Sequence, residues 1–529
     1  MQELRFSPEA LAIHDSINLT SVPYPDCSIK TLFEGRAERR GTAPCIVYRD
    51  EVLSYREINQ LANGLAARLR RLGVSPGDTV GVCVTRSPEL VVALLAVTKC
   101  GAAYLPFDAT WPDELLTSIF NDTRCRLLVI KGARGLADRF PDFDIVLVNR
   151  DMLDRVEENL ALDVAGDAVA YINFTSGTTG KSKGVQIQHR SIARLVTSPS
   201  YTRLDERTVV LNMSPVTFDA ATFEIWGPLS NGGMCVLYPF GIPRLSELHR
   251  LVERWGINCV FLTTALFNTV IDEAPDALRG VRTILFGGEA YSDKHVRLAL
   301  NAYGGGRLVH VYGPTECTTF ATYYPVDRMP ASSSGLPIGG PIQNTVLYLV
   351  SDGWLCRPGQ VGEILLGGPG LSPGYLEAGF VREDGFGEFD IGGKCQRLYR
   401  TGDYGYFLDS GELIFQGRSD DQVKINGFRV ELSVVSRALG EHPNVSQCYI
   451  TVKGDAAGEK ILLAFVVPRG ESFDPHQVRE DLRSGLPAYM LPRVIHACDK
   501  LPLLATGKVD RRALLDLHDD LYTRFAARQ

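Results

Sequence analysis

The chain lacks several features that would each place it in a particular class of protein. Its 12 cysteines include no C-x-x-C pair, so neither a zinc site nor a disulfide framework is predicted. The formal net charge of −7 gives no electrostatic footprint for nucleic acid. The N-terminus has no apolar signal core, and the longest apolar run, residues 90–97, is too short to span a bilayer. We therefore expect a globular, cytoplasmic protein that binds neither nucleic acid nor membrane.

Length and composition predict more than one domain with large hydrophobic cores. The chain has 529 residues, of which 45% are hydrophobic and 22% charged, as in ordinary globular proteins. A capping box at Ser54 and Glu57 opens a run of helical period, and residues 78–84 predict a buried strand. Strands and helices go on alternating, which indicates parallel sheets with helices on both faces. Residues 1–30 show no sustained period, so we expect an irregular surface segment there.

The pattern changes twice toward the C-terminus. From about Thr345, short strands punctuated by glycine predict a β-rich subdomain, and after Gly417 a smaller unit of strands and helices begins. The predicted fold is therefore α/β, with a large N-terminal domain of packed mixed or parallel sheets that includes the β-rich subdomain. A small α+β domain follows it. We place the N-terminal domain at residues 1–419 and the C-terminal domain at residues 420–529.

One loop carries the clearest chemical signal in the sequence. It follows residues 168–173, which predict a strand. The loop therefore lies at the carboxyl end of a strand, where α/β sheets bind their ligands. Glycines let the backbone approach a ligand, while hydroxyls and lysines supply donors and positive charge, which together suit a polyphosphate. The loop residues assigned to phosphate are Thr175, Ser176, Gly177, Thr178, Thr179, Gly180 and Lys181.

On the residues of this loop alone, three interpretations stay open. A flexible surface loop is disfavoured by the charge and by the preceding strand. The Walker pattern G-x-x-x-x-G-K-[ST] fits only in part, because Gly177 lies three residues before Gly180 instead of five. The phosphate loop of adenylate-forming enzymes, T-S-G-[ST]-T-G-x-P-K-G, fits closely and departs only at Ser182, which stands in place of proline.

Further stretches match the adenylate-forming enzymes in chain order. Each is weak alone, but together they extend over nearly the whole chain and are specific. They are G-A-A-Y-L-P (101–106), F-D-A-A-T-F-E-I-W (218–226), G-G-E-A (287–290), Y-G-P-T-E (312–316), G-E-I (362–364), Y-R-T-G-D (399–403), G-R-S-D (417–420), Q-V-K-I-N-G (422–427), L-P-A-Y-M-L-P (486–492) and T-G-K (506–508). The chain thus resembles the amino-acid-activating adenylation domains of nonribosomal peptide synthetases.

This resemblance implies a site for ATP and Mg²⁺. Tyr312 would stack on adenine, Thr315 would hydrogen-bond phosphate, and Glu316 would be the catalytic carboxylate that holds Mg²⁺, a cation that prefers oxygen ligands. Asp403 would accept hydrogen bonds from the ribose hydroxyls, and Arg418 would contact ribose or phosphate. The other nucleotide-binding residues that the resemblance implies are Gly288, Glu289, Ala290, Gly313 and Phe415.

Two residues of the C-terminal domain match the family's catalytic and hinge positions. Lys508 matches the catalytic lysine, which would bind both nucleotide and substrate where negative oxygens crowd in the transition state. Asp420 matches the hinge about which the small domain would move between two half-reactions. Without the resemblance, Lys508 would be interpreted as a solvated charge and Asp420 as a capping residue.

Matching positions also imply a pocket for the amino acid. Asp219 would pair with the α-ammonium group, and Lys508 would close the carboxylate end. Apart from Thr319 the deeper positions are apolar, so a charged side chain would be desolvated there without a partner. We therefore predict a small or medium aliphatic L-amino acid, similar to valine. The remaining pocket residues are Ala220, Phe223, Phe261, Leu285, Gly287, Val311 and Phe320.

The resemblance implies two half-reactions. An amino acid and Mg·ATP would give aminoacyl-AMP and pyrophosphate, and the aminoacyl group would then pass to the phosphopantetheine thiol of a carrier protein. No carrier-type serine site follows in the sequence, so we expect a free-standing monomer that loads a carrier on another chain; a small activator protein is a further possible partner. Two alternatives are an acyl-CoA synthetase, disfavoured by Asp219, and a non-catalytic nucleotide-binding protein, disfavoured by Lys508, Glu316 and Asp403.

Overall fold

The computed structural model describes residues 2–131, 135–175, 182–241, 244–289, 291–329, 335–418, 422–425, 427–454, 460–470, 473–502 and 509–526. The chain divides into two compact units. The larger comprises Met1–Ala109, Ile119–Phe174 and Gly184–Ser419, and the smaller comprises Thr110–Ser118, Thr175–Lys183 and Asp420–Gln529.

The larger unit contains a nine-stranded sheet, counted over the described residues. In spatial order its strands are Gly340–Pro341, Thr322–Val326, Leu308–Tyr312, Thr283–Gly287, Cys259–Thr263, Val209–Asn212, Met234–Leu237, Pro44–Tyr48 and Glu51–Ser54. The strands from Leu308–Tyr312 to Pro44–Tyr48 are parallel to one another, whereas the outer strands are antiparallel. This arrangement leaves the carboxyl ends of its parallel strands at one edge.

The remaining strands described for the larger unit form two further sheets, the first with eight strands and the second with seven. One runs in the order Phe380–Arg382, Tyr375–Glu377, Lys183–Gln188, Val169–Thr175, Ala103–Pro106, Thr79–Val84, Leu127–Lys131 and Asp144–Leu147. The other runs in the order Gln2–Glu3, Phe386–Ile391, Lys394–Phe407, Gly362–Gly367, Val346–Ser351 and Trp354–Leu355, with Leu413–Arg418 also paired to Lys394–Phe407. The last sheet is antiparallel apart from its first strand pair, and it contains the β-rich segment that the sequence predicts.

Helices cover both faces of the nine-stranded sheet. One core joins this sheet to the eight-stranded sheet through helices that include Tyr55–Arg71 and Pro88–Lys99, and a second core packs helices such as Leu245–Trp255 on the opposite face. The capping box is confirmed, because Ser54 and Glu57 each bond the other's backbone N–H. The α-helices among the described residues up to 418 are Pro8–Ile17, Ile29–Arg40, Tyr55–Arg71, Pro88–Lys99, Asp113–Thr123, Leu136–Arg139, His189–Val196, Ala220–Asn231, Leu245–Trp255, Thr264–Glu273 and Asp293–Tyr303.

The C-terminal part of the smaller unit is α+β. Its described strands form one hairpin and one three-stranded sheet: Gln422–Ile425 with Phe428–Glu431, and Val445–Gly454 with Lys460–Pro468 and Val494–Ala497. The described helices are Leu432–Gly440, Pro475–Leu482 and Arg511–Ala526. The fold class predicted from the sequence, α/β with a small α+β C-terminal part, is confirmed.

Residues 1–30 are more regular than the sequence analysis predicts. Pro8–Ile17 is a helix, with Ser7 accepting a hydrogen bond from the Ala10 amide and proline in the first turn. His14 of this helix is fully buried, and its ring lies edge-on to Phe407 with centroids 5.2 Å apart.

Helices of the described part all fall short of the length and hydrophobicity that crossing a bilayer requires.

Candidate active site

Four predicted pocket residues lie on neighbouring strands of the nine-stranded sheet. Phe261 is opposite Leu285, and Gly287 is opposite Val311, in parallel register. Because side chains alternate along a strand and opposed residues share a face, all four lie on the same face. The structure therefore brings together even Phe261 and Leu285, which lie outside the matched motifs.

Aromatic rings pack together around Phe320, and one of them belongs to Phe261 of this group. The Phe320 ring has its centroid 5.5 Å from that of Phe223, 5.6 Å from that of Phe261 and 5.4 Å from that of Tyr201. All four side chains are buried, and Tyr201 is an addition to the predicted pocket. Such packed rings leave little room for a large side chain and offer it no charged partner.

Close approach of backbones explains two of the predicted glycines. A Cβ on Gly287 would lie 2.0 Å from the carbonyl oxygen of Val311, and a Cβ on Gly313 would lie 2.4 Å from that of Thr319. Any other residue at either position would separate the strand ends that form the site. Gly288, which follows, has φ of +91°, a conformation that glycine adopts at little cost.

Asp219 is held by two threonines. The Thr315 hydroxyl donates to Asp219 Oδ2 at 2.6 Å, and the Thr319 hydroxyl donates to the Asp219 carbonyl oxygen at 2.9 Å. Asp219 precedes the helix Ala220–Asn231 but makes no side-chain capping bond to it. Thr315, which the resemblance assigns to phosphate, thus bonds in this structure to the residue that the resemblance assigns to the ammonium group.

Backbone strain lies in the segment that carries these threonines. Thr318 and Thr319 have φ of +52° and +69°, which is rare for β-branched residues and costs of order 1–3 kcal/mol each. The Thr318 hydroxyl compensates in part by donating to the carbonyl oxygen of Gly370 at 2.8 Å. Strain of this kind is typical of segments that hold functional groups in place.

The residues assigned to ribose and adenine form a second network. The Tyr312 hydroxyl donates to Asp403 Oδ2 at 2.5 Å, and Arg418 Nη1 donates to Asp403 Oδ1 at 2.6 Å. Asp403 and Arg418 are directly opposite on paired strands. Burial, reinforced by the Asp403 carboxylate, raises the pKa of Tyr312 well above its ordinary value, so Tyr312 remains a hydrogen-bond donor. The Phe415 ring lies 6.1 Å from the Tyr312 ring.

Glu316 lies at the base of the turn after Tyr312 and has a fully buried side chain. The Tyr375 hydroxyl donates to Glu316 Oε1 at 2.6 Å, and the Tyr399 hydroxyl is 3.1 Å from that of Tyr375. Mg²⁺ in nucleotide sites is commonly bound by one or two carboxylates together with phosphates, and a single glutamate in such a turn fits this pattern. The described residues contain no cluster of three or more histidine, cysteine, aspartate or glutamate side chains suited to a metal.

Two other buried charged residues, Glu224 and Arg194, had no predicted role. Glu224 accepts from the amides of Met213 and Ser214, from the Ser214 hydroxyl and from Asn212 Nδ2, and so fixes the end of a strand before Asp219. Burial raises the pKa of Glu224 to about 7. Arg194 donates to the carbonyl oxygen of Phe320 at 3.0 Å and to the Thr345 hydroxyl at 2.7 Å. Each of these two residues occupies a buried position of a helix. A single sequence does not show whether a charged residue of a helix is buried or lies on the surface.

The remaining predicted site residues divide into two groups. Thr175 ends the strand Val169–Thr175, and the carbonyl oxygen of Glu289 accepts from the Thr264 hydroxyl at 3.2 Å. The others lie outside the described residues: Ser176, Gly177, Thr178, Thr179, Gly180, Lys181, Ala290, Asp420 and Lys508.

Comparison with known proteins shows which family these motifs belong to. The AMP-binding enzyme model matches residues 33–376, and the model of the AMP-binding enzyme C-terminal domain matches residues 435–508. Surfactin synthase subunit 1 of Bacillus subtilis (strain 168) is 38% identical over 96% of this chain, and bacitracin synthase 1 of Bacillus licheniformis is 36% identical over 94% of it. The chain spans 14% and 10% of those two proteins, respectively.

Solved structures agree with this assignment. An NRPS protein containing adenylation and PCP domains, bound to a vinylsulfonamide inhibitor, superposes with a TM-score of 0.85 at 33% identity, covering 93% of this chain and 84% of that one. A second structure of that protein superposes with a TM-score of 0.81 at 32% identity, covering 96% of this chain and 99% of that one. The chain belongs to the AMP-binding enzymes, and within this adenylate-forming ligase family it is an adenylation domain of the nonribosomal peptide synthetase type.

Proposed function

We propose that the chain activates a small or medium aliphatic L-α-amino acid, similar to valine, as its aminoacyl-AMP. The observation that carries this proposal is the position of Asp219. Thr315 and Thr319 hold this residue by hydrogen bonds, and three of the predicted pocket residues, Phe223, Phe261 and Phe320, belong to a buried hydrophobic cluster. A carboxylate suits an α-ammonium group, and apolar surroundings suit an aliphatic side chain.

The first half-reaction joins a substrate carboxylate oxygen to the α-phosphorus of ATP and breaks the bond from that phosphorus to the pyrophosphate leaving group. No general base is needed, because the carboxylate of the amino acid is already ionised at neutral pH. This chain contributes positioning and charge: Asp219 orients the ammonium group, and Asp403 and Arg418 hold the ribose side. Lys508 is assigned to the oxygens that gain charge, where a cation is most effective. When bound at Glu316, Mg²⁺ would neutralise phosphate charge.

The second half-reaction in this proposal transfers the aminoacyl group to the phosphopantetheine thiol of a carrier protein. Support comes from the related solved protein, which contains both adenylation and PCP domains. The proposed carrier is supplied on another chain, and the adenylation domain acts as a monomer. Mixing the purified domain with separate holo-carriers and measuring loading by mass spectrometry tests this step, while sedimentation of the domain tests the monomer.

The first test of the proposed substrate is amino-acid-dependent pyrophosphate exchange over a panel of amino acids. Valine and its neighbours should give the highest rates. We expect 2-aminobutyrate and isoleucine to be separated from valine by only about 10–200-fold, because one methylene gives little discrimination. Highest activity with an acidic, basic or large aromatic amino acid would contradict the pocket assignment.

The same assay separates the alternatives. An acyl-CoA synthetase would show exchange with a carboxylic acid that lacks the amino group and would transfer the product to CoA. A non-catalytic nucleotide-binding protein would bind ATP without any exchange.

A hinge at Asp420 predicts that the two half-reactions can be separated. Proline fixes φ, so Asp420→Pro should obstruct the domain movement that the second step requires. Adenylate formation should continue at nearly the wild-type rate, as measured by single-turnover release of pyrophosphate, while carrier loading slows. An equal loss in both steps would show that Asp420 has only a structural role.

A further inference from the structure

Two tyrosines connect the site's buried carboxylate to two separate sheets. Tyr375 donates its hydroxyl proton to Glu316 Oε1 at 2.6 Å. Since that single proton is used, the Tyr399 hydroxyl, 3.1 Å away, donates to the Tyr375 oxygen. The result is a hydrogen-bond chain from Tyr399 through Tyr375 to Glu316, and each bond in such a chain polarises the next.

The backbones of both tyrosines are anchored beside other parts of the nucleotide site. Tyr375 pairs with Val185 in the strand that follows the glycine-rich loop. Tyr399 lies on the long strand that also carries Asp403, four residues further along. The Phe386 ring packs against both, with centroids 6.0 Å from Tyr375 and 4.7 Å from Tyr399. Neither phenol can therefore move without disturbing packed neighbours.

Rigid anchoring matters because of what a metal-binding carboxylate requires. A buried carboxylate can rotate about its terminal bond, and each orientation presents a different oxygen to a cation. A donor fixed at Oε1 restricts that rotation and stabilises the charged form. Hydrogen-bond partners of this kind typically change metal affinity by about 10–100-fold when they are removed.

We infer that Tyr375 is a positioning residue that orients Glu316 toward the Mg²⁺ of Mg·ATP, and that Tyr399 holds Tyr375 in place. This inference rests on the proposed function, because it takes Glu316 as the metal ligand. Tyr375 belongs to none of the motifs found in the sequence. Tyr399 belongs to the motif Y-R-T-G-D, in which only the aspartate, Asp403, had a predicted role.

The experiment measures metal binding directly. Mn²⁺ replaces Mg²⁺ as a paramagnetic probe, and α,β-methylene ATP supplies the phosphates without permitting adenylation. The Kd of Mn²⁺ is measured by electron paramagnetic resonance for the wild type and for Tyr375→Phe, Tyr399→Phe and Glu316→Gln. Tyr303→Phe is the matched control, because that tyrosine is equally buried and its hydroxyl has no hydrogen-bond partner among the residues that the structure describes.

We expect Tyr375→Phe to raise the Kd of Mn²⁺ about 10-fold. Tyr399→Phe should give a smaller increase, and Tyr303→Phe none. The double variant Glu316→Gln, Tyr375→Phe should bind Mn²⁺ no more weakly than Glu316→Gln alone, because both changes abolish the same function, metal binding by the Glu316 carboxylate. If Tyr375→Phe does not fold, Tyr399→Phe decides the question by the same measurement.

The outcomes distinguish this inference from the function on which it rests. If Glu316→Gln weakens Mn²⁺ binding but neither tyrosine variant does, the positioning role is wrong and the metal assignment stands. If Glu316→Gln leaves Mn²⁺ affinity unchanged, the metal assignment itself fails. If Tyr375→Phe weakens binding of the metal-free nucleotide as much as it weakens Mn²⁺ binding, the tyrosine supports the fold of the site only.

Discussion

Replacing Lys508 with alanine is expected to slow aminoacyl-adenylate formation by about 10²–10³-fold, the usual effect of removing one group aimed at transition-state charge. The attacking carboxylate and the α-phosphate both carry negative oxygens, and their repulsion is greatest when the new bond is forming. A compact ammonium group on a long stem can contact both. Its removal should therefore affect the transition state far more than bound ATP.

Pyrophosphate exchange and nucleotide binding test the two parts of this expectation. The rate of amino-acid-dependent exchange should fall, while the Kd of ATP measured by calorimetry stays nearly unchanged. Lys500→Ala is a suitable control, because Lys500 is an exposed lysine of the same C-terminal segment. Exchange within about threefold of the wild-type rate would contradict the assignment of Lys508.

Features with a local cause were predictable from the sequence. The helix Tyr55–Arg71 begins at a capping box, and both of its hydrogen bonds connect residues three apart. The pocket strands were predictable from short apolar runs that end in polar residues or glycine. Their register, which places Leu285 opposite Phe261, followed only from the structure.

Features with a long-range cause were not predictable in this way. The helix Pro8–Ile17 has a serine cap and a proline start, but its helical residues bury little apart from Ala10 and His14, so its period is weak. The hydrogen bond between Tyr375 and Glu316 joins residues 59 apart in sequence, and the hydrogen bond between Arg194 and the Phe320 carbonyl oxygen joins residues 126 apart. Such contacts depend on how sheets meet, and a tyrosine or arginine in a single sequence does not reveal its distant partner.

Asp219→Asn is expected to reduce kcat/KM for the preferred amino acid by about 10²-fold, the scale of removing one partner from a partly desolvated ion pair. Asparagine has the same shape, and its carbonyl oxygen can still accept from the Thr315 hydroxyl. The site should keep its geometry and lose only the negative charge. Asp276→Asn is the control, because it makes the same change at an exposed aspartate outside the predicted site.

Comparison of valine with 3-methylbutyrate, its analogue without the amino group, isolates the role of this charge. The wild type should strongly prefer valine, because the analogue leaves the Asp219 carboxylate without its cation. In Asp219→Asn the exchange rate with valine should fall while the rate with 3-methylbutyrate stays level or rises. The preference for valine over 3-methylbutyrate should therefore become smaller. An equal fall for both acids would mean that Asp219 maintains the shape of the pocket through Thr315. Undiminished activity with valine would mean that another group binds the ammonium.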